Sequence, residues 1–487
     1  MDLAIYLDYN SKIPLYQQLT EKIRSAVLEG RLKPNQKLPS SRNLAKSLTI
    51  SRSTVTQSYE QLESEGYLET RRGSGTYVCH QIPDEWLESQ PVEPITSHKA
   101  KQTKPLPLSS FAQNLTSIGN LSVSEPDCEI SFRYGNPAHE YFPIQQWRKL
   151  INYHCQNSAE LLNYFPDAAG YLPLREEIAD YLGRSRAVNC TPDRVIVING
   201  SQQALNLIAR LLLDPEDWVA VEEPGYLGAR NCFQGQFAKI QPIKVDLAGL
   251  DVEALNICDR DFKLVYVTPS HQFPTGVTMS LSRRIALLQW AKDTNTLIIE
   301  DDYDSEYRYG TQPIPALQGM DRANSVIYIG TFSKILFPSL RIGYLVVPQD
   351  LVPIVSKAKW LCDRFCPLLE QYALTDWIRL GYFERHIRRM RQLYNLRRQA
   401  LIAAFEKYFG DRVTIIGENA GIHLMAKIAT NFSDKTVIQK AATAGIGLVS
   451  ARGYYLQPQQ QGEFIFGYGQ LEESAIERGI AKLAQII

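Results

Sequence analysis

The sequence predicts a two-part α/β protein: a small helical unit closed by a strand hairpin, then a large unit on a mostly parallel sheet. Three observations predict it. The chain has 487 residues, more than one core organises, since single cores stop growing near ~250–300 residues. From about residue 126, strand-like apolar runs alternate with helical stretches: VIVING (195–200), WVAVEEPGY (218–226), LVYVTPSHQFPTG (264–276), TLIIEDDYDSEY (296–307), VIYIGTFSK (326–334) and IGYLVVP (342–348). Such alternation is the pattern of a sheet covered on both faces. Before it, a chain of net charge +0 carries a window, Gly30 to Tyr59, with no Asp or Glu but with Arg31, Lys33, Lys37, Arg42, Lys46 and Arg52. That stretch is either a solvated face or a surface that meets phosphates.

In the first unit, Tyr16, Leu19, Ile23 and Val27 recur at helical spacing over residues 13–29, and Gly30 stops the helix. LKPNQKLP is a loop. Ser40 caps a short helix, SRNLAKSL; TIS turns; Ser51 caps a third helix whose buried stripe is Val55, Tyr59 and Leu62. Two short helices across a tight turn make a helix-turn-helix. YLETRRGSGTYVC then reads as strand, glycine-rich turn, strand. The third helix presents Arg52, Ser53, Thr54, Thr56 and Gln57 at its N-terminal end, where Arg suits guanine and Gln suits adenine in a major groove. Arg71, Arg72, Gly73 and Ser74 sit at the hairpin turn, placed for the sugar-phosphate rail.

Residues 80–125 are rich in Pro, Ser, Thr and Lys without a period and read as a flexible or extended linker. Hydrophobic content of 44% and charged content of 21% are ordinary for a globular protein. No apolar run approaches the ~20 residues of a membrane span, and MDLAIYLDYN lacks the regions of a secretory signal, so a cytoplasmic protein is expected. Eight scattered cysteines form no C-x-x-C pair, the histidines form no H-E-x-x-H, and no metal is expected.

In an open α/β sheet, ligands collect beyond the strand C-termini, and the unusual residues of the large unit all fall there. NGSQQ (199–203) opens a helix whose N–H groups, with Ser201 and Gln202, suit a phosphate. EPGY ends in the flat ring of Tyr226. EDDY offers two adjacent carboxylates, Asp301 and Asp302, and the phenol of Tyr303. GTFSKILFPSLR gathers Thr331, Ser333, Lys334 and Arg341. A phosphorylated aromatic aldehyde would use all of them: ring on Tyr226, ring nitrogen on a carboxylate, phosphate on Ser333, Arg341 and the Ser201 turn, aldehyde on the Lys334 amine. Loss of the lysine proton would be favoured by burial beside Arg341. Arg230 is an active-site cation or a helix-face residue; His271 reads as a loop support and His423, in AGIHLMAK, as a strand residue.

The array LPSSRNLA, SRSTV and EGYLETRRGSGTYV resembles the winged helix-turn-helix of the GntR regulators over residues 12–79, which implies DNA contacts from Arg42 and Arg52, assisted by the wing at Gly73. EEPGY, TPSHQFPTG, EDDYDSEYRY and GTFSK...PSLRIGY resemble the fold-type I aminotransferases, which bind pyridoxal 5′-phosphate. The combination is similar to the MocR/GabR subfamily. The resemblance implies a DNA-binding domain over 1–79, a linker over 80–125 and an aminotransferase-like domain over 126–487, with a smaller C-terminal α+β subdomain from about 375. It also implies Lys334 as the Schiff-base lysine, Asp301 as the partner of the pyridinium nitrogen, Tyr303 on the cofactor's phenolic oxygen, Tyr226 stacked on the ring and Arg452 on an incoming amino acid's carboxylate. A homodimer reading paired half-sites, an amino compound or the cofactor as effector, and at most slow transamination follow as expectations; the alternative is a working aminotransferase. Phe273 stands where the wider aminotransferases commonly have Asn before the P-x-G turn.

Overall fold

The structure, a computed structural model, describes residues 5–9, 11–71, 73–80, 106–118, 128–157, 159–163, 167–310, 314–457 and 461–487. Arg72 and most of the expected linker lie outside the described residues. The chain divides into two compact units, Met1–Leu106 and Pro107–Ile487. No described helix is long and apolar enough to cross a membrane.

The first unit has three helices, α1 (Leu15–Leu28), α2 (Ser41–Leu48) and α3 (Arg52–Ser64), then an antiparallel hairpin of β1 (Leu68–Arg71) and β2 (Gly75–Val78). Leu19, Ile23 and Val27 of α1 recur every fourth residue, so one face meets the core, where they join Leu44, Val55, Leu62, Leu68 and Val78. Each such aliphatic side chain contributes about 1.5–3 kcal/mol when fully buried. The caps are those expected: Ser40 Oγ accepts from Asn43 N at 3.3 Å, and Ser51 Oγ accepts from Thr54 N at 3.1 Å. With its N-terminal turn fixed, α3 leaves Arg52, Ser53 and Gln57 exposed or half-exposed, and Thr54 and Thr56 half-buried.

In the second unit an eight-stranded sheet runs from β3 (Val195–Ile198) through β4 (Trp218–Glu223), β5 (Lys239–Asp246), β6 (Gly249–Leu250), β7 (Phe262–Val267), β8 (Leu297–Asp302) and β9 (Val326–Thr331) to β10 (Gly343–Val346). Their spatial order is β3-β10-β9-β8-β7-β4-β5-β6. The central strands are parallel; β10 is antiparallel to both neighbours, and β6 to β5. Both faces are covered: along β3, Val195 and Val197 enter one apolar cluster while Ile196 and Ile198 enter another. The strand β5 escaped the sequence pattern because Pro242 sits within it; it pairs with Val221 of β4 near the sheet edge.

Two findings modify the expected organisation. Within the expected linker, Ser110–Ser117 is a helix capped by Ser109, whose side chain accepts from Ala112 N at 3.2 Å. Its Asn114 amide donates to the Gln234 carbonyl at 2.7 Å, at the end of the helix Leu227–Gly235. Phe111, Leu115 and Ile118 supply a helical period, hidden in the sequence by the surrounding Ser and Pro. The smaller α+β part is a four-stranded antiparallel sheet of Val413–Ile416, His423–Ile428, Glu463–Gly467 and Val449–Ser450. The changeover between cores falls along the helix Tyr382–Phe409: Phe383 and Ile387 pack under the large sheet, Met390, Tyr394 and Leu401 under the small one.

Removing the α3 cap tests the local account. Ser51→Ala is expected to cost about 0.5–2 kcal/mol, read as faster hydrogen exchange of the α3 amides in the full chain. Unchanged exchange would show that the cap does not hold this helix end.

Candidate functional site

A cavity of about 290 Å³ opens at the C-terminal ends of the parallel strands. Ser201, Gln202, Tyr226, Asp301, Tyr303, Thr331, Ser333, Lys334 and Arg341 all line it. These residues come from separate strand ends, which only the sheet order brings together.

Strand alternation separates the two adjacent aspartates. On one face of β8, Asp301 accepts a hydrogen bond from Tyr266 Oη at 2.7 Å through Oδ2, while its Oδ1 is buried with no partner. On the other face, Asp302 receives Arg186 Nε at 3.0 Å and Tyr328 Oη at 2.6 Å and does not line the cavity. Burial raises the Asp301 carboxyl to about 7; the Tyr266 hydrogen bond opposes this and the Asp302 charge adds to it.

Lys334 follows β9 and points its Nζ to the Gly135 carbonyl, 2.8 Å away. Burial lowers its proton affinity, with the charges of Arg341 and Arg133 acting the same way and those of Asp304 and Asp301 opposing. Arg341 donates to the Asn199 carbonyl at 2.8 Å. Gly200 has φ +92°, a backbone conformation that favours glycine, and the Arg341 guanidinium lies over it, 2.6 Å from where a Cβ would sit. Beyond Gly200 the helix Ser201–Leu212 has no side-chain cap, leaving its first N–H groups for an anion. Thr331 Oγ1 accepts from Ser333 N at 3.1 Å, and Ser333 Oγ is buried without a partner.

The cavity's apolar side is a ring cluster about Phe273. Tyr134, Tyr454, His423, Tyr226 and Tyr303 have centroids 5.0, 5.1, 5.5, 5.9 and 6.4 Å from it. Burial raises the Tyr226 phenol to about 12, keeping it neutral. The Tyr303 hydroxyl donates to the His271 carbonyl at 2.8 Å. Sequence reasoning missed Tyr134, Gly135, Tyr266, Thr268, Asp304 and His423 as lining residues. Tyr266 carried one signal, a polar ring amid the apolar run LVYV; Tyr134 and Gly135 carried none. His423 opens a strand, as expected, but its ring is buried with Nε2 unpartnered, and burial pushes its pKa well below the ordinary value. Donor atoms of His271, Asp304 and His423 lie within 4.8 Å of one another, a grouping no sequence spacing signals.

Two candidates fall elsewhere. Arg452 is exposed on a short turn, and its side chain is not among those lining the cavity. Arg230 lies in a separate groove with Asn114 and Ser117. In the first unit, Gly73 and Ser74 are exposed, as are Arg42 and Arg71. Arg71 is committed within the chain: it pairs with Glu69, donates to Asn35 Oδ1 at 2.8 Å and lies 4.5 Å over the Tyr77 ring.

The two aspartates give opposite predictions. Asp302→Ala strands the buried Arg186 and is expected to cost about 3–5 kcal/mol in denaturant titration. Asp301 titrates near 7 in the fold against ~3.9 unfolded, so the unfolded chain binds fewer protons between those values. Its contribution to stability therefore falls as pH rises from about 4 to about 7. Asp301→Asn should be near neutral for stability at about pH 4 and stabilising at about pH 8; equal effects at both would contradict burial as the cause.

The chain matches the aminotransferase class I and II family over residues 130–465 and the gntR family of bacterial regulatory proteins over residues 15–78. It is 37% identical over 485 residues to the probable rhizopine catabolism regulatory protein MocR of Rhizobium meliloti, covering 98% of this chain and 95% of that one. It is 30% identical to the pyridoxine biosynthesis transcriptional regulator PdxR of Corynebacterium glutamicum, covering 100% and 99%. Among solved structures, the α-aminoadipate aminotransferase LysN of Thermus thermophilus, complexed with N-(5′-phosphopyridoxyl)-L-leucine, superposes with a TM-score of 0.69 at 26% identity, over 78% of this chain and 94% of that one. With both modules matched in the same order along nearly its whole length, the chain belongs to the MocR-type transcriptional regulators of the GntR family, a winged helix-turn-helix joined to a class I and II aminotransferase module.

Proposed function

We propose that this regulator takes up pyridoxal 5′-phosphate in the large unit's cavity and uses it to sense an amino compound or the supply of the cofactor itself. The observation that carries the reading is a buried, unpartnered carboxylate oxygen, Asp301 Oδ1, in the same cavity as a lysine of depressed proton affinity. When bound, the cofactor supplies an aldehyde and an electron-withdrawing ring. Asp301 would face the ring nitrogen, supported from behind by Tyr266. Lys334 would hold the aldehyde carbon, its amine's hold on a proton weakened by burial. Tyr226 would cover one ring face. The uncapped helix at Ser201 and Gln202, with Thr331, Ser333 and Arg341, would hold the phosphate, and Tyr303 would donate to an oxygen on the ring. Arg452 is the candidate for an amino acid's carboxylate; its exposed guanidinium must swing inward to serve.

On the DNA side, Arg52, Ser53, Thr54, Thr56 and Gln57 would meet base edges. Arg42, Arg71, Arg72, Gly73 and Ser74 would meet the backbone, with Arg71 first leaving Glu69. A homodimer would bring two readers to paired half-sites. We place the reading domain at 1–79 and the sensing domain at 126–487, joined on its N-terminal side by the helix Ser110–Ser117 that bonds to it. A ligand shifts such a protein only through different affinities for its two states. The names of the relatives point to two kinds of signal, catabolism of a small compound in MocR and vitamin synthesis in PdxR.

A second reading, a working aminotransferase, is favoured by the likeness to LysN; sustained production of keto acid from amino donors would decide for it. For the regulator, the protein mixed with pyridoxal phosphate is expected to gain a visible absorbance band that Lys334→Ala abolishes. Arg52→Ala is expected to weaken operator binding by about 1–3 kcal/mol, roughly 5- to 150-fold, in a mobility-shift titration. A wild-type protein that stays colourless, or an Arg52→Ala protein that binds as tightly as wild type, contradicts the corresponding half of the proposal.

A further inference from the structure

Behind Tyr303 lies a polar group that nothing in the cofactor reading uses. The His271 and Asp304 side chains are each 1% exposed. The His271 Nδ1 is 2.9 and 3.0 Å from the two Asp304 carboxylate oxygens and 3.1 Å from the Tyr303 hydroxyl oxygen. An ionised carboxylate accepts only, so Asp304 fixes the ring proton on Nδ1. That N–H then lies between the carboxylate and the phenol oxygen, while Nε2 is buried without a partner. The phenol has one proton of its own, and it points to the His271 carbonyl at 2.8 Å. His271 therefore meets Tyr303 at two atoms, a carbonyl that receives the hydroxyl proton and an N–H that can hold the hydroxyl oxygen.

The ring is clamped. A Cβ on Gly421, whose φ is +71°, would lie 1.9 Å from His271 Cε1, so the strand-entry backbone sits directly on the imidazole. The His423 ring packs on it with centroids 4.5 Å apart. The charged and titratable groups around Tyr303 are Asp304, Asp301, Glu222 and Asp302, with His423 and Lys334 on the neighbouring elements. Burial and the four carboxylates hold the Tyr303 phenol far above its ordinary range, so the hydroxyl keeps its proton to donate while its oxygen stays open to accept. Phe273, on the same cavity wall, has no donor to offer.

We propose that His271, fixed by Asp304, is the positioning residue for Tyr303: its Nδ1–H holds the phenol oxygen while the hydroxyl proton turns from the His271 carbonyl to an anionic oxygen of the bound ligand. This rests on the reading that the cavity takes pyridoxal phosphate. A hydroxyl donated to the cofactor's ring oxygen stabilises that oxygen as an anion and weakens its hold on the proton at the Lys334 nitrogen. Loss of the donor strengthens that hold, so the proton is retained to higher pH.

The test is the pH midpoint of the visible absorbance of the full-length protein loaded with pyridoxal phosphate. Tyr303→Phe is expected to raise the midpoint by about one unit or more, roughly 1.4 kcal/mol per unit. His271→Gln, whose amide reaches the Nε2 position and leaves Nδ1 empty, should raise it in the same direction. His271→Asn, whose amide replaces the Nδ1–H, should return it toward wild type. The double variant Tyr303→Phe/His271→Gln should match Tyr303→Phe alone, because both changes remove one interaction. His271→Leu serves where His271→Gln does not fold, judged by circular dichroism. A coloured protein whose midpoint is unmoved by His271→Gln, or a double variant whose shift is the sum of the singles, overturns this proposal alone. A wild-type protein that never colours overturns the cavity reading and this proposal with it.

Discussion

An acid and an amine are withheld from water in one cavity, and the rest of the large unit is arranged around that fact. The buried Asp301 carboxyl rises to about 7 and the Lys334 amine loses proton affinity, both because burial penalises charge. In a dry apolar pocket such groups would be an unrelieved cost. Here each has one fixed partner and one open position: Tyr266 and a bare Oδ1 for the acid, the Gly135 carbonyl for the amine. The arrangement is unfavourable alone, and a ligand offering a cationic ring nitrogen to one and a carbon electrophile to the other would relieve it.

The sheet makes this possible by separating tasks between its faces. Asp302, one residue from Asp301, is turned to the opposite side, where Arg186, Tyr328 and Ser270, the last as an acceptor for Arg186, close a buried network. That network ties β8 to β9 and to the helix Leu172–Arg186, so the strand end carrying Asp301 is held from two neighbouring elements. A comparable tie secures the anion end. Asp363 accepts from Asn199 Nδ2 at 2.6 Å and Gln203 Nε2 at 2.8 Å and pairs with Lys359, anchoring the turn that Arg341 crosses. Groups open to a ligand are thus mounted on side chains tied by several hydrogen bonds to neighbouring elements.

Much of this was legible in the sequence because strand ends are punctuated. Apolar runs that stop at NGSQQ, EPGY, DDY and GTFSK mark where side chains enter a crevice, and all nine residues expected at the cofactor line one cavity. What the sequence lacked was direction. Asp301 and Asp302 are equivalent as letters and become distinct only through β8's alternation. Tyr134, Gly135 and His423 arrive from segments distant in sequence, and their pairing with Phe273 and Lys334 depends on how the smaller sheet packs. Asp304 and His271 are joined across 33 positions by one hydrogen bond that no spacing announces. Arg452 was implied by the family resemblance, which did not show that its turn leaves the side chain exposed. In the first unit nearly every element was readable, since caps, turn and stripe are local signals; the helix at 110–117 was missed because composition outweighed a short period.

The central claim is that one nitrogen, Lys334 Nζ, is the point at which this protein captures an aldehyde. Borohydride treatment of the protein incubated with pyridoxal phosphate, followed by peptide mass mapping, tests it most directly. The account predicts a single reduced adduct on the peptide carrying Lys334, absent when Asp301 is replaced by Ala if that carboxylate is what seats the ring. Adducts scattered over surface lysines, or none at Lys334, would contradict it.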